Sequence, residues 1–135
     1  RWMFFLRRLV PIVEIIKLKS VLTKLRQQVN DIEGCTVVSR DGLIIASELR
    51  SDVVGKEFAA LSVDVTKSGE IVASELRMGS LSQIVINSSD GNIITATIGK
   101  KAVLACLVQK KASIGFVLLH MNRAADYLAR LLVGG

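Results

Sequence analysis

The segment from Cys35 to Glu48 constrains the fold of this chain more than any other, because it has the pattern of a single β-hairpin. Two runs rich in β-branched and other apolar residues flank the dipeptide Asp41-Gly42. Asp-Gly tolerates the positive φ angles of a type I′ turn, whose twist matches that of the strands it joins. The pattern therefore predicts strands near residues 35–40 and 43–48 with a tight turn between them.

A similar turn signal occurs once more, at Asp90-Gly91. The pattern Ser-x-Asp-Gly-x-Ile-Ile begins at Ser39 and again at Ser88, but the flanking sequences share little. Common turn chemistry therefore explains the likeness better than an internal repeat does. The signal predicts a second hairpin, with strands at residues 81–88 and 92–98.

Three segments have the apolar spacing of amphipathic helices. The first extends from about Ile15 to Asp31, and the last covers residues 114–132. Between them, Ser51 or Asp52 offers a side-chain oxygen that can cap a long helix running to about residue 77. The order of elements is therefore helix, two strands, helix, three strands, helix.

Two strand segments are apolar at every position rather than at alternate positions. Residues 43–46 and 102–108 both have this pattern, which is typical of strands covered on both faces. The mixed pattern of residues 81–88 suits a strand near a sheet edge. A chain of 135 residues is long enough to bury a core as one domain. The sheet is therefore predicted to lie between two layers of helices.

The long second helix carries an apolar stripe together with an unusual number of small residues. Small side chains allow another backbone to approach closely, so they indicate either packing on the sheet or a contact between subunits. The residues alone favour neither alternative. The stripe consists of Phe58, Leu61, Val65, Ser68 or Gly69, Val72 and Leu76.

The formal net charge of +6 does not indicate nucleic-acid binding. The basic residues come in separate pairs without interleaved aromatic residues, so solvated surface charge is expected. Cys35 and Cys106 are expected to be free, buried thiols in a reducing cytoplasm. They lack the ligand spacing of a zinc site, and no metal is expected.

Residues 1–16 are strongly apolar with three arginines, and Pro11 interrupts the run before it reaches the length of a membrane span. The segment has no small-residue cleavage site, so a signal peptide is not expected either. It is interpreted as an apolar N-terminal arm ahead of a domain at 17–133. The arm packs on the domain or a neighbour, or contacts a membrane or a complex through residues 1–13.

The sequence contains no pattern of catalytic residues. His120, the single histidine, lies midway along a predicted helix, where a packing role is expected. No Gly-x-Ser-x-Gly pattern surrounds a serine, and the turn at Gly99-Lys100-Lys101 lacks the other residues of a phosphate-binding loop. We therefore expect no enzymatic activity and no cofactor.

The order of elements and several short segments resemble the roadblock/dynein light chain family, in particular its archaeal and bacterial members. The resemblance covers about residues 17–132. It depends on residues 32–35 leading into the first hairpin, on the small-residue helix, on residues 87–91, and on residues 112–115 ahead of Arg123. It implies an α/β (α+β), profilin-like three-layer sandwich. Its antiparallel sheet has the order 2-1-5-4-3, with the second helix on one face and the other two helices opposite.

The resemblance also implies a function: a non-enzymatic, homodimeric scaffold that binds a small Ras-like GTPase. In gliding-motility systems such proteins act as GTPase-activating proteins. Arg40 and Arg50 flank the first hairpin and are candidate contacts to the GTPase. The alternative is a structural adaptor of a motor or of a membrane-tethered complex, attached through the N-terminal arm. The implied dimer pairs the edge strand and the second helix, with Phe58, Leu61, Val65, Ser68, Gly69, Val72, Leu76, Ile84 and Ile86 as interface candidates.

Overall fold

A computed structural model describes the backbone of residues 2–133 and the side chains of residues 12–132. Within these residues the predicted order of helices and strands is confirmed. The elements are α1 (Trp2–Gln28), β1 (Ile32–Ser39), β2 (Ile44–Glu48), α2 (Gly55–Glu75), β3 (Gln83–Ser88), β4 (Gly91–Ile98), β5 (Ala102–Val108) and α3 (Ile114–Val133). The five strands form one antiparallel sheet in the order β2-β1-β5-β4-β3, as predicted.

The first helix starts much earlier than its amphipathic pattern predicts. α1 runs without interruption from Trp2 through Pro11, although proline removes one backbone hydrogen bond from a helix. The predicted arm and the predicted first helix therefore form a single helix. The described side chains remain accessible up to Lys17, and Leu18 is the first that is buried. Within residues 2–133, none of the helices is long and apolar enough to cross a bilayer.

The sheet is covered on both faces. α1 and α3 pack together on one face, and α2 lies on the other. β5 occupies the centre, and each of its residues except Leu107 is buried, as the continuous apolar run predicts. β3 lies at one edge, also as predicted.

The prediction that the second strand is covered on both faces is wrong. β2 forms the other edge of the sheet, where Ile44 is 38% exposed and the preceding Leu43 is 67% exposed. Both α1 and α2 contact β2, but they leave its turn end exposed, where Leu43 and Ile44 lie. The apolar run could not show how far along the strand each helix extends.

The turn of the first hairpin is of a different type from the one predicted. The Ser39 N–H donates to the Leu43 carbonyl at 2.8 Å, and the Gly42 N–H donates to the Ser39 carbonyl at 2.9 Å. Gly42 has a φ of 85°, whereas Asp41 does not have a positive φ. This is a three-residue loop that ends in a glycine bulge, so it needs one left-handed residue rather than the two of a type I′ turn.

The two cysteines lie directly opposite each other on β1 and β5. The Arg40 N–H donates to the Lys101 carbonyl, so these two opposite residues form a hydrogen-bonded pair. Hydrogen-bonded and non-hydrogen-bonded pairs alternate along antiparallel strands, and counting back along β1 makes Cys35 and Cys106 a non-hydrogen-bonded pair, whose side chains lie close together. Both are free and fully buried, as expected. Burial raises the pKa of the Cys106 thiol well above its usual value, and the nearby Cys35 raises it further. Cys106 therefore remains a neutral thiol at physiological pH.

Candidate protein interface

The helix α2 begins later than the predicted caps would place it. It starts at Gly55 after Val54, which makes no side-chain capping bond, so the prediction of Ser51 or Asp52 as the cap is wrong. The helix ends at Glu75, and Arg77 follows with a left-handed φ of 54°. The Met78 N–H closes this end by donating to the Ala73 carbonyl at 2.8 Å.

The face of α2 that lies against the sheet consists of small and polar residues. Its buried residues are Ala59, Ser62, Val63 and Thr66. The Thr66 hydroxyl donates to the Ser62 carbonyl at 2.8 Å and lies 3.4 Å from the Thr95 hydroxyl on β4. Small side chains thus allow α2 to approach its own sheet, which is one of the two alternatives that the sequence left open.

Close approach is most evident at Gly69. A Cβ atom added there would lie 2.7 Å from the Cδ1 atom of Ile84 on β3, and 3.1 Å from a Leu81 methyl group. Any larger side chain would have to displace these two residues. Gly69 therefore brings α2 onto the edge of the sheet, so that the helix and β3 form one continuous surface.

Val63 of α2 is buried against the sheet, but four other large apolar residues of the helix and its C-terminal cap point away from it. Leu61, Ile71, Val72 and Leu76 are 59%, 63%, 57% and 63% exposed, respectively. Exposed apolar residues grouped on one side of a helix are a mark of an interaction surface. We call these four residues the outer face of α2.

An unpaired strand edge lies next to the outer face of α2. Within the described residues, β3 pairs only with β4, so its other side offers free backbone N–H and C=O groups. Ile84 and Ile86 are half-buried on this strand, and Val85 between them is 40% exposed. An open strand edge is a ready template for pairing with another chain.

The predicted interface residues divide into two groups in the structure. Leu61, Ser68, Val72 and Leu76 are exposed, whereas Phe58, Val65, Gly69, Ile84 and Ile86 are half-buried. Sequence reasoning missed Ile71, although its position directly beside Val72 was a usable signal. The pairing of two subunits through these residues remains a prediction.

The two arginines predicted as GTPase contacts do not share a site. Arg40 forms an ion pair with Glu70 on α2 at 2.6 Å and donates to the Gly99 carbonyl at 3.1 Å. Arg50 pairs with Glu33, and with Asp52 at 3.2 Å. Glu33, the partner of Arg50, lies near the start of β1, and Arg40 lies just beyond its end, about 23 Å away along the strand.

The order of strands in the sheet, with one helix on one face and two on the other, defines a profilin-like sandwich of the roadblock type. The family description "Roadblock/LC7 domain" matches residues 18–108. The chain therefore belongs to the Roadblock/LC7 family. The match begins at Leu18, where the buried part of α1 also begins.

Similar proteins include a curated relative and two solved structures. The uncharacterized protein MJ0310 of Methanocaldococcus jannaschii is 34% identical over 95 residues, which cover 70% of this chain and 82% of the relative. The structure of MglB from Myxococcus xanthus has a TM-score of 0.82 at 17% identity, covering 89% of this chain and 90% of MglB. A Roadblock/LC7 domain from Streptomyces avermitilis has a TM-score of 0.79 at 19% identity, covering 85% and 97%. These structural likenesses establish the fold.

Proposed function

We propose that this chain is a non-enzymatic regulatory scaffold that forms a homodimer through α2 and β3 and binds a small Ras-like GTPase. The observation that carries the dimer is the outer face of α2 beside the open edge of β3. A second copy related by a two-fold axis would pair β3 with β3 and cover both helices. One MglB structure, similar to this chain with a TM-score of 0.80, is described as having a tetrameric arrangement.

The GTPase partner is supported by family membership and by the likeness to MglB, which another solved structure describes as a gliding protein. Roadblock proteins of gliding-motility systems act as GTPase-activating proteins, and the same role is proposed for this chain. Activation then requires either an inserted arginine or repositioning of the GTPase's own residues. Arg50 is the better candidate for insertion, because its side chain is 48% exposed, whereas that of Arg40 is 21% exposed and joins two elements.

A pull-down with the small GTPases of the same genome, followed by a turnover assay, tests this proposal. We expect the dimer to retain at least one GTPase in a nucleotide-dependent manner and to accelerate its GTP hydrolysis. An Arg50→Ala variant that binds normally but no longer accelerates hydrolysis would identify Arg50 as the inserted arginine. If none of the GTPases is retained in either nucleotide state, the proposed partner class is wrong.

The second candidate function is a structural adaptor tethered through the first part of α1. The supporting observation is a group of exposed apolar side chains ahead of the first buried residue. Ile12 is 54% exposed and Val13 is 46% exposed, and neither packs into the core. Exposed apolar residues grouped in this way indicate contact with a membrane surface or with another protein.

Deletion of residues 1–13 separates the two functions. We expect the shortened protein to stay folded, because the buried part of α1 begins at Leu18. Its melting temperature should fall by less than about 4 °C, which corresponds to roughly 1 kcal/mol. Circular dichroism, light scattering and vesicle co-sedimentation measure the outcome. If GTPase binding persists while membrane or complex association is lost, the segment is a tether; if the dimer dissociates, the segment is part of the dimer.

A further inference from the structure

A groove of about 520 Å³ lies between α1 and α3, on the opposite face of the sheet from α2. Leu25 is buried at its floor, and Val21 and Ala124 are half-buried beside it. The rim carries cationic side chains from both helices, Lys17 and Lys24 on α1 and Arg123 on α3. The groove thus combines an apolar floor with positive charge on both sides.

The charge of the groove has a single sign. None of the residues that line it carries a carboxylate. Lys17, Lys24 and Arg123 form no ion pair with another described residue, and this includes Asp126, three positions along α3 from Arg123. By contrast, Arg40 and Arg50 are both paired with acidic residues of this chain. Uncompensated charges of one sign along a cleft attract a partner of opposite charge.

An aromatic row runs along α3, and two of its three members, His120 and Tyr127, line the groove. Phe116, His120 and Tyr127 are spaced by four and seven residues, which places them on one side of the helix. The Phe116 and His120 rings lie 4.6 Å apart, and Phe116 and Tyr127 are 48% and 49% exposed. Exposed aromatic side chains are enriched as anchors in protein interfaces, so they indicate a partner with apolar residues as well as acidic ones.

From this combination we propose that the α1–α3 groove binds an acidic amphipathic helix of a partner protein. The apolar side of that helix lies on the floor and along the aromatic row, and its carboxylates face Lys17, Lys24 and Arg123. Along α1 the groove extends from Lys17 to Gln28, a rise of about 16 Å, or roughly three helical turns. A concave slot between two helices fits a third helix, whereas a bilayer presents a flat surface.

The proposal is independent of the dimer, because α2 and the groove lie on opposite faces of the sheet. A subunit paired through the outer face of α2 would still present its groove to a partner. The chain would then carry two separate binding surfaces, one for a second copy and one for an acidic helix.

The proposal is tested with the full chain and a fluorescein-labelled, stapled 14-residue peptide. The peptide has leucines on one helical face and glutamates elsewhere. We expect saturable binding by fluorescence anisotropy, with amide chemical-shift changes confined to residues 17–28 and 116–127. The double variant Lys24→Glu/Arg123→Glu should weaken binding at least about tenfold, which corresponds to 1.4 kcal/mol. The variant Lys56→Glu/Lys67→Glu on α2 makes the same charge change at exposed positions away from the groove and should leave affinity unchanged.

Three results would overturn the proposal. Equal weakening by the two double variants would mean that the peptide responds only to net charge. Equal binding of a peptide with the same composition but scattered leucines would mean that no apolar face is recognised. Binding of phosphatidylserine vesicles through Lys24 and Arg123, without binding of the peptide, would identify a membrane surface as the occupant instead.

Discussion

Replacing Leu128 with alanine is expected to destabilise the protein by about 2–5 kcal/mol, because the substitution leaves a cavity in the core between the sheet and α3. Leu128 is fully buried in the cluster that α1, α3 and the sheet share. For a chain of this length the loss corresponds to a fall in melting temperature of roughly 10 °C. Urea unfolding followed by circular dichroism measures the free energy of unfolding directly.

The matched control is Leu119→Ala, which removes the same atoms from the same helix. Leu119 is 46% exposed and lies outside the buried cluster, so its replacement should change the free energy of unfolding by less than about 1 kcal/mol. An equal loss of stability in the two variants would contradict the assignment of Leu128 to the buried side of α3 and of Leu119 to the exposed side.

Local chemistry accounts for the parts of the fold that the sequence predicts correctly. Both Asp-Gly dipeptides lie at hairpins, but only Gly42 has the left-handed backbone that favours glycine in a turn. Gly91 is the first residue of β4 and pairs with Ser88, so the second loop is Ser89-Asp90 rather than the predicted Asp90-Gly91. The apolar run of residues 102–108 identifies the central strand, since each of its faces must be covered. Where the prediction fails, at the coverage of β2 and the turn type at Gly42, the outcome depends on neighbours or on backbone angles that composition does not specify.

The orientation of α2 could not be predicted from its apolar stripe. A helical stripe shows that one face is covered, but it does not show whether the cover is the chain's own sheet or another molecule. In the structure, Ala59 and Ser62 face the sheet, and Leu61 and Val72 face outward. The small residues therefore explain the packing within the subunit, and the large ones define the candidate interface.

Contacts between residues that are distant in the sequence could not be predicted from local sequence patterns either. Cys35 and Cys106 are 71 residues apart in the sequence, yet strand order places them side by side. The ion pair of Arg40 with Glu70, and the groove between Lys24 and Arg123, likewise arise only when helices and strands pack. No local motif identifies such pairs, because each residue by itself is of a type that is ordinary for a strand or for the surface.

Replacing Val72 with glutamate is expected to raise the dimer dissociation constant at least about 100-fold, a change of roughly 2.7 kcal/mol. Val72 is 57% exposed in the single chain, and it lies in the middle of the apolar outer face of α2. In a two-fold dimer each substitution occurs twice, so two carboxylates would be desolvated in one interface without cationic partners. Sedimentation velocity across a concentration series measures the shift from dimer to monomer.

Leu61→Glu should act in the same way as Val72→Glu, since Leu61 is 59% exposed on the same outer face of α2. Leu119→Glu is the matched control, because Leu119 is exposed to a similar degree on α3, across the sheet from α2. The control should remain dimeric, and all three variants should keep the far-ultraviolet circular dichroism of the original protein, because each new carboxylate stays in water in the monomer. A Val72→Glu variant that remained dimeric at low micromolar concentration would count against the α2 interface. The open edge of β3 would then be the surface to test next.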